Sequence, residues 1–232
     1  MLKEFATFND TLNFVGINVF HLNDSNYDLK NLGENVLIIN GTALVLKPKN
    51  VLPQMPLYIS TLLSNSKFHL NVLNFADQDI FACASDILFT GKEIFVGVGK
   101  YGADYQAAKA IAEVFPEYCV QAIEMPKEAD VSLRHYVAVC GEGMLIMCET
   151  NAISKSLSNM ICNRGKFSYK FISVPELTAI NTLLLNNCLL HMGKEKLQKS
   201  FDVIMLHFLL SILKGYINQK RTTFWTPQAA IV

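Results

Sequence analysis

The sequence predicts an α/β fold built from one repeated module, in which a helix and a short strand alternate with a β-hairpin. Three observations carry this reading. Four stretches each read as two β-rich runs around a turn, the turns recur about every fifty residues, and a helical pattern followed by an extended run fills the intervals. Of the 232 residues 51% are apolar, and 20 basic side chains balance 20 acidic ones, so the bulk of the chain can bury a core. A repeat of this length implies modules packed around a common axis.

The first copy opens with a weak helix over residues 5–13 and the strand INVFHL from Ile17. Its hairpin is VLIINGTALVL (36–46), where Asn40-Gly41 tolerates the positive φ angles of a two-residue turn. The second copy has a helix over 55–64, the run FHLNVL from Phe68 and the hairpin DILFTGKEIFVGV, turning at Gly91. In the third, a helix over 103–115 places Ala107, Ala108, Ile111, Ala112 and Phe115 on one face. YCVQAI from Tyr118 and the hairpin YVAVCGEGMLIMC, turning at Glu142, follow. The fourth has a helix over 152–162, YKFISV from Tyr169 and NTLLLNNCLLHM, turning at Asn186-Asn187. The turns thus fall near 41, 91, 142 and 187, within a domain spanning 1–200.

A fifth copy begins and is left incomplete. The stretch GKEKLQKSFDVIMLHFLLSILKGYI reads as its helix, but NQKRTTFWTPQAAIV, with Pro227, offers no second hairpin. Residues 201–232 are therefore expected to be a divergent tail, an apolar helix and then irregular chain. Val203, Ile204, Phe208, Ile212 and Leu213 share one side of that helix, while Met205, Leu206, Leu209 and Leu210 make the other apolar too. Such a helix at 201–217 is expected to cover the open side of the ring or to mediate self-association.

Several function classes are disfavoured. Zero net charge with no basic stripe gives no electrostatic footprint for nucleic acid. MLKEFATFND has no apolar h-region, so a cytoplasmic chain is expected. The apolar run 203–213 is about half of the ~20 residues a membrane span needs, so none is expected. Cys83, Cys119, Cys140, Cys148, Cys162 and Cys188 form no CxxC pair and suit reduced core thiols; the sequons at Asn9, Asn23 and Asn40 are then expected to be unused. His21 and His69 have no partner at ligand spacing, so no metal is expected.

Gly97, Gly99 and Gly102 form a GxGxxG between a strand and a helix, with Glu124 closing the next strand, which fits a dinucleotide-binding turn in outline. The strand carrying it, however, is the second arm of a hairpin that recurs four times. A dinucleotide fold needs successive parallel crossovers, so the glycines read better as the exit from a hairpin, and no cofactor is expected.

The stretch SDILFTGKEIFVGVGKYGADYQAAKAIAEVF resembles the dimethylarginine dimethylaminohydrolase family of the pentein, or amidinotransferase, superfamily. The resemblance continues through SLRHYVAVCGEGMLI and SVPELTAINTLLLN, and back through GINVFHL and ENVLIINGTALVLKP, covering about 16–200. It implies a pentein-type β/α propeller of ββαβ modules around a pseudo-fivefold axis, with an incomplete fifth module and a site in the central channel.

The resemblance also implies a chemistry in which a cysteine attacks the guanidinium carbon of a methylated arginine, a histidine moves protons, carboxylates hold the cation and arginines hold the α-carboxylate. The family's histidine lies in a segment matching 131–137, where this chain has Ser132, with His135 three residues on. In a strand that spacing would turn His135 to the other face. The family's cysteine follows the fifth helix, and this sequence has no cysteine after Cys188. Of the acidic turn before the hairpin, Cys83-Ala84-Ser85-Asp86, the final Asp86 is kept; the guanidinium-gripping pair becomes Glu34-Asn35. An upstream aspartate maps to Leu29, one position from Asp28, and the arginines map to Pro53 and Tyr101. Asn181 is retained.

These losses point to a non-catalytic homologue that binds an unidentified protein partner or a small guanidino ligand, with Glu34, Asn35, Asp86 and Asn181 as residual channel residues. A hydrolase whose catalytic strand is supplied elsewhere is the alternative, and a NAD-binding oxidoreductase a distant third. Cys188 and His191, three apart on one strand, are expected to face opposite ways, and Cys140 and Cys148 to fill the core.

Overall fold

The computed structural model describes residues 10–14, 16–18, 33–49, 52–65, 68–75, 80–180, 182–185 and 188–191, the last hairpin as backbone alone. Three copies of one ββαβ unit follow each other along the chain. The first consists of β1 (Val36–Ile39), β2 (Thr42–Val45), α1 (Met55–Ser64) and β3 (Asn71–Asn74). The second consists of β4 (Ile87–Phe89), β5 (Glu93–Val98), α2 (Tyr105–Val114) and β6 (Cys119–Glu124). The third consists of β7 (Val137–Gly141), β8 (Met144–Cys148), α3 (Ala152–Arg164) and β9 (Lys170–Val174). A fourth hairpin, β10 (Thr182–Leu185) and β11 (Cys188–His191), pairs antiparallel.

Within each unit the two hairpin strands pair antiparallel, and the strand after the helix pairs parallel to the hairpin's second arm, giving the orders β1-β2-β3, β4-β5-β6 and β7-β8-β9. The sequence reading grouped each helix and strand with the hairpin that follows them. The structure joins them to the hairpin that precedes, because a parallel pair needs a crossover long enough to return the chain to the same end of the sheet, and the helix is that crossover. Described residues thus hold three complete modules and a hairpin.

Turn chemistry fixes the first hairpin. Asn40 (φ 48) and Gly41 (φ 78) both take positive φ, the two-residue turn whose twist matches the flanking strands. Helix α1 has the predicted bounds, with Pro56 in its first turn, where a missing N–H costs nothing. The run from Phe68 becomes strand only at Asn71, because His69 (φ 50) breaks the extended backbone before it. Residues 10–14 are helical, with Leu12 fully buried, while most of the predicted strand from Ile17 lies outside the described residues, as do His21 and residues 201–232.

Alternation along the middle strands explains how the modules stack. In β5, Ile94, Val96 and Val98 pack with Ala107 and Ile111 of α2 and with Ile39 and Leu44 of the first module. Phe95, on the other face, packs with Leu145, Leu157 and Ile161 of the third. Helices α2 and α3 therefore each sit between their own sheet and the preceding one, and all six residues of β5 are buried. Cys140 and Cys148 belong to a further cluster with Ile146 and Ile180, as expected of small core hydrophobes. Three cysteines depart from that expectation: Cys162 is exposed on α3, Cys119 is half-buried on β6, and Cys83 is half-buried among polar groups. The side chains of Cys188 and His191 lie outside the described residues.

No helix of the described residues is long and apolar enough to cross a membrane.

Candidate functional site

Each module is entered by a short segment just ahead of its first strand: residues 33–35 before β1, the 3-10 turn Ala84–Asp86 before β4, and the 3-10 turn Leu133–His135 before β7. Equivalent points of successive modules meet there. The Ser85 N–H donates to Glu34 Oε2 at 3.2 Å across 51 residues, and the Cys83 thiol lies 3.8 Å from Ser132 Oγ across 49 residues. Those separations equal the hairpin period, so the repeat itself builds the cluster.

Asp86 organises it. Its Oδ2 accepts from the Cys83 N–H at 3.0 Å and from the Cys83 thiol at 3.2 Å, closing the turn on itself. Cys83 Sγ stands 2.9 Å from Ser85 Oγ. Asp86 is 3% exposed and its second oxygen, Oδ1, has no hydrogen bond among the described residues. Asn35 is equally buried.

The Ser132 turn is held from two sides. Tyr136, buried beneath it, donates to Asp130 Oδ1 at 2.6 Å and accepts from the Asp130 N–H. Leu133 presses against Gly97, where an added Cβ would come within 2.8 Å of Leu133 Cβ. Gly97 is thus needed for close approach of the site segment.

The electrostatics are those of an acceptor-rich cluster. Burial above all, and the Asp86 charge beside it, push the Cys83 thiol up to about 11. Burial likewise raises the Asp86 carboxyl, with a smaller contribution from Glu34, while hydrogen bonds from Cys83 and Ser132 pull it back. Among the described residues neither Asp86 nor Glu34 has an ion-pair partner. Two carboxylates, one with an unfilled buried oxygen, suit a cation carrying N–H donors. Among the described residues no group of three His, Cys, Asp or Glu side chains could hold a metal ion.

Of the residues named from the sequence, Glu34, Asp86 and Ser132 converge. Asn35 is buried one residue from Glu34, and Asn181 and the stretch with Asp28 and Leu29 lie outside the described residues. The argument from strand geometry for His135 does not hold, since the segment is a 3-10 turn; its N–H donates to the Ser132 carbonyl and its side chain is exposed. Pro53 and Tyr101 are both exposed. Cys83, read as a core thiol, is the site residue that sequence reasoning missed.

The glycine motif forms a closed structure. Ala103 N–H donates to the Gly97 carbonyl at 2.8 Å, Gly102 N–H to Gly99 and Gly99 N–H to Ala103, so the loop's donors are used internally. A Cβ on Gly102 would run into the Gly97 carbonyl, and Gly99 sits at φ 126. Asp104 precedes α2, and its carboxylate, which accepts from the Phe81 N–H at 3.0 Å and makes no bond to the helix's own N–H groups, places a negative charge that opposes an anionic phosphate there.

No protein-family model matches the chain. DDAH2 of Bos taurus is 24% identical over 192 residues, 75% of this chain and 65% of the relative's length. The solved dimethylarginine dimethylaminohydrolase adduct with 4-chloro-2-hydroxymethylpyridine superposes with a TM-score of 0.67 at 13% identity, over 87% of this chain and 79% of that one. The N-terminal domain of ArgZ, an arginine dihydrolase of cyanobacteria solved with its product, gives 0.65 at 18% identity, over 87% and 75%. The chain therefore spans about two thirds of the length of the curated relative, and the likeness to the solved structures is one of fold.

Proposed function

The chain is, by its fold, a dimethylarginine dimethylaminohydrolase-like pentein, and on that premise we propose that it binds a small guanidinium- or amidinium-bearing ligand at the Asp86–Glu34 cluster without hydrolysing it. The observation that carries this reading is the Ser132 hydroxyl, 3.8 Å from the Cys83 thiol beside Asp86. A hydroxyl in that place cannot take up a proton near neutral pH, and a thiol whose pKa is about 11 is almost wholly protonated there. Covalent guanidinium hydrolysis needs an activated nucleophile and a base, whereas binding needs only the acceptors. A protein partner that presents an arginine side chain to the cluster satisfies the same chemistry.

A second reading is a hydrolase converting dimethylarginine or a related guanidino compound to citrulline and an amine, in arginine and nitric-oxide metabolism. It draws on the part of DDAH2 that this chain does not match, since the match covers 65% of that protein. Incubation of the protein with dimethylarginine, assayed for citrulline, separates the two. The binding reading expects no citrulline above a buffer control, and turnover would replace it with the second.

A further inference from the structure

We propose that Ser168 is a phosphorylation site, the acceptor of a serine kinase whose substrate cleft is acidic. It lies apart from the acceptor cluster. The Ser168 carbonyl stands 4.0 Å from where a Cβ on Gly143 would sit, at the hairpin turn, whereas Asp86 and Ser132 precede the first strands of their hairpins. The proposal is therefore independent of ligand binding at that cluster.

The sequence supplies the recognition. Arg164 and Lys166 stand four and two residues ahead of Ser168, Lys170 stands two after it, and residues 160–174 hold no carboxylate. A kinase that receives its substrate strand between carboxylates gains a charge-assisted contact from each of these cations.

The folded chain supplies the presentation. Residues 165–169 belong to no helix or strand, and Ser168 is exposed together with Arg164, Lys166 and Lys170. The backbone is pinned on both sides of the serine. The Lys166 and Phe167 N–H groups donate to the Glu93 carboxylate at 3.1 and 3.3 Å, and the Lys170 N–H donates to the Gly143 carbonyl at 2.9 Å. Tyr169 is turned inward, its hydroxyl on Glu93, so recognition falls to the flanking cations. Ser154 and Ser158, by contrast, are buried, and Ser156 is exposed but lies inside α3 with Lys155 as its one basic neighbour.

Phosphorylation changes the charge of this rim. Arg164, Lys166 and Lys170 contribute three positive charges, and a phosphate of about −2 leaves about one. Lys92 holds Glu142 at 3.3 Å, with its Nζ 5.9 Å from the centre of the Phe167 ring, so the phosphate on the next residue competes with Glu142 for that ammonium.

The step is a phosphoryl transfer. Ser168 Oγ forms a bond to the γ-phosphorus of ATP, the bond from that phosphorus to the bridging oxygen breaks, ADP leaves and the hydroxyl proton passes to the kinase's base.

The test incubates the full-length protein with magnesium, ATP and the catalytic fragment of protein kinase C, a kinase that favours basic residues on both sides of its acceptor, and maps phosphate by peptide mass spectrometry. Phosphate should accumulate at Ser168 and not at Ser156, and Ser168→Ala should remove it from that peptide. Lys166→Ala combined with Lys170→Ala should slow incorporation at Ser168 by about fivefold or more, through the loss of two ion pairs with the kinase. Phosphate at Ser168 no higher than in a kinase-free control overturns the proposal, as does an undiminished rate in the double lysine variant. So does incorporation into a synthetic peptide of residues 160–174 but not into the folded protein.

Discussion

The Tyr169 hydroxyl donates to the Glu93 carboxylate at 2.8 Å and lies 3.0 Å from Thr90 Oγ1, joining the third module to the hairpin turn of the second. Glu93 is fully buried and is held further by the N–H groups of Lys166 and Phe167, just past the end of α3. One module earlier, the Tyr118 hydroxyl accepts from Asn40 Nδ2 at 2.6 Å, again from the residue before the parallel strand to the preceding hairpin turn. The repeat therefore carries its own fastener, buried in one copy and exposed in the other.

Tyr169→Phe should cost about 1–3 kcal/mol, since it strips a donor from a buried carboxylate. Tyr118→Phe, at an exposed contact, should cost under about 1 kcal/mol. Urea denaturation of the two variants reads the difference, and equal losses would refute the buried role of Glu93.

Gly102→Ala should destabilise by about 1–3 kcal/mol or more, because the new Cβ meets backbone, which cannot turn aside as a side chain can. The native protein, titrated with NAD in a calorimeter, should give no binding heat. A saturable heat would restore the dinucleotide reading of Gly97, Gly99 and Gly102.

Asp86 gives the protein a pH dependence of definite sign. Burial raises its carboxyl in the folded state, so the folded protein holds that proton more tightly than the unfolded chain does. Its contribution is therefore most favourable at low pH and is lost as pH rises from the ordinary carboxylate range through the folded value. Asp86→Asn removes this titration. The stability difference, variant minus native, should grow with rising pH across that window and level off above it. Urea midpoints measured from about pH 4 to 8 decide the matter, and a flat difference would mean that the carboxyl is not raised.

The hairpins and helices were legible because turn residues and apolar periodicity are local: Asn40-Gly41 and the helix over 55–64 needed no tertiary information. The grouping of elements was not, since β3 pairs with β2 across α1 and proximity in sequence favours the hairpin ahead. The site was legible in part. Glu34, Asp86 and Ser132 came from resemblance, while Cys83 looked like one more core thiol among apolar neighbours. The missing signal was the period itself: Glu34, Ser85 and Ser132 stand about fifty residues apart, each just ahead of a hairpin. Overlaying the copies at that offset would have set Cys83 beside Ser132.

The central claim, binding without turnover, is tested by one proton NMR experiment on the protein mixed with dimethylarginine. Saturation transferred from protein to the ligand's N-methyl protons, with no dimethylamine resonance growing over hours, is the result expected here. Growth of that resonance, in step with citrulline, would contradict it.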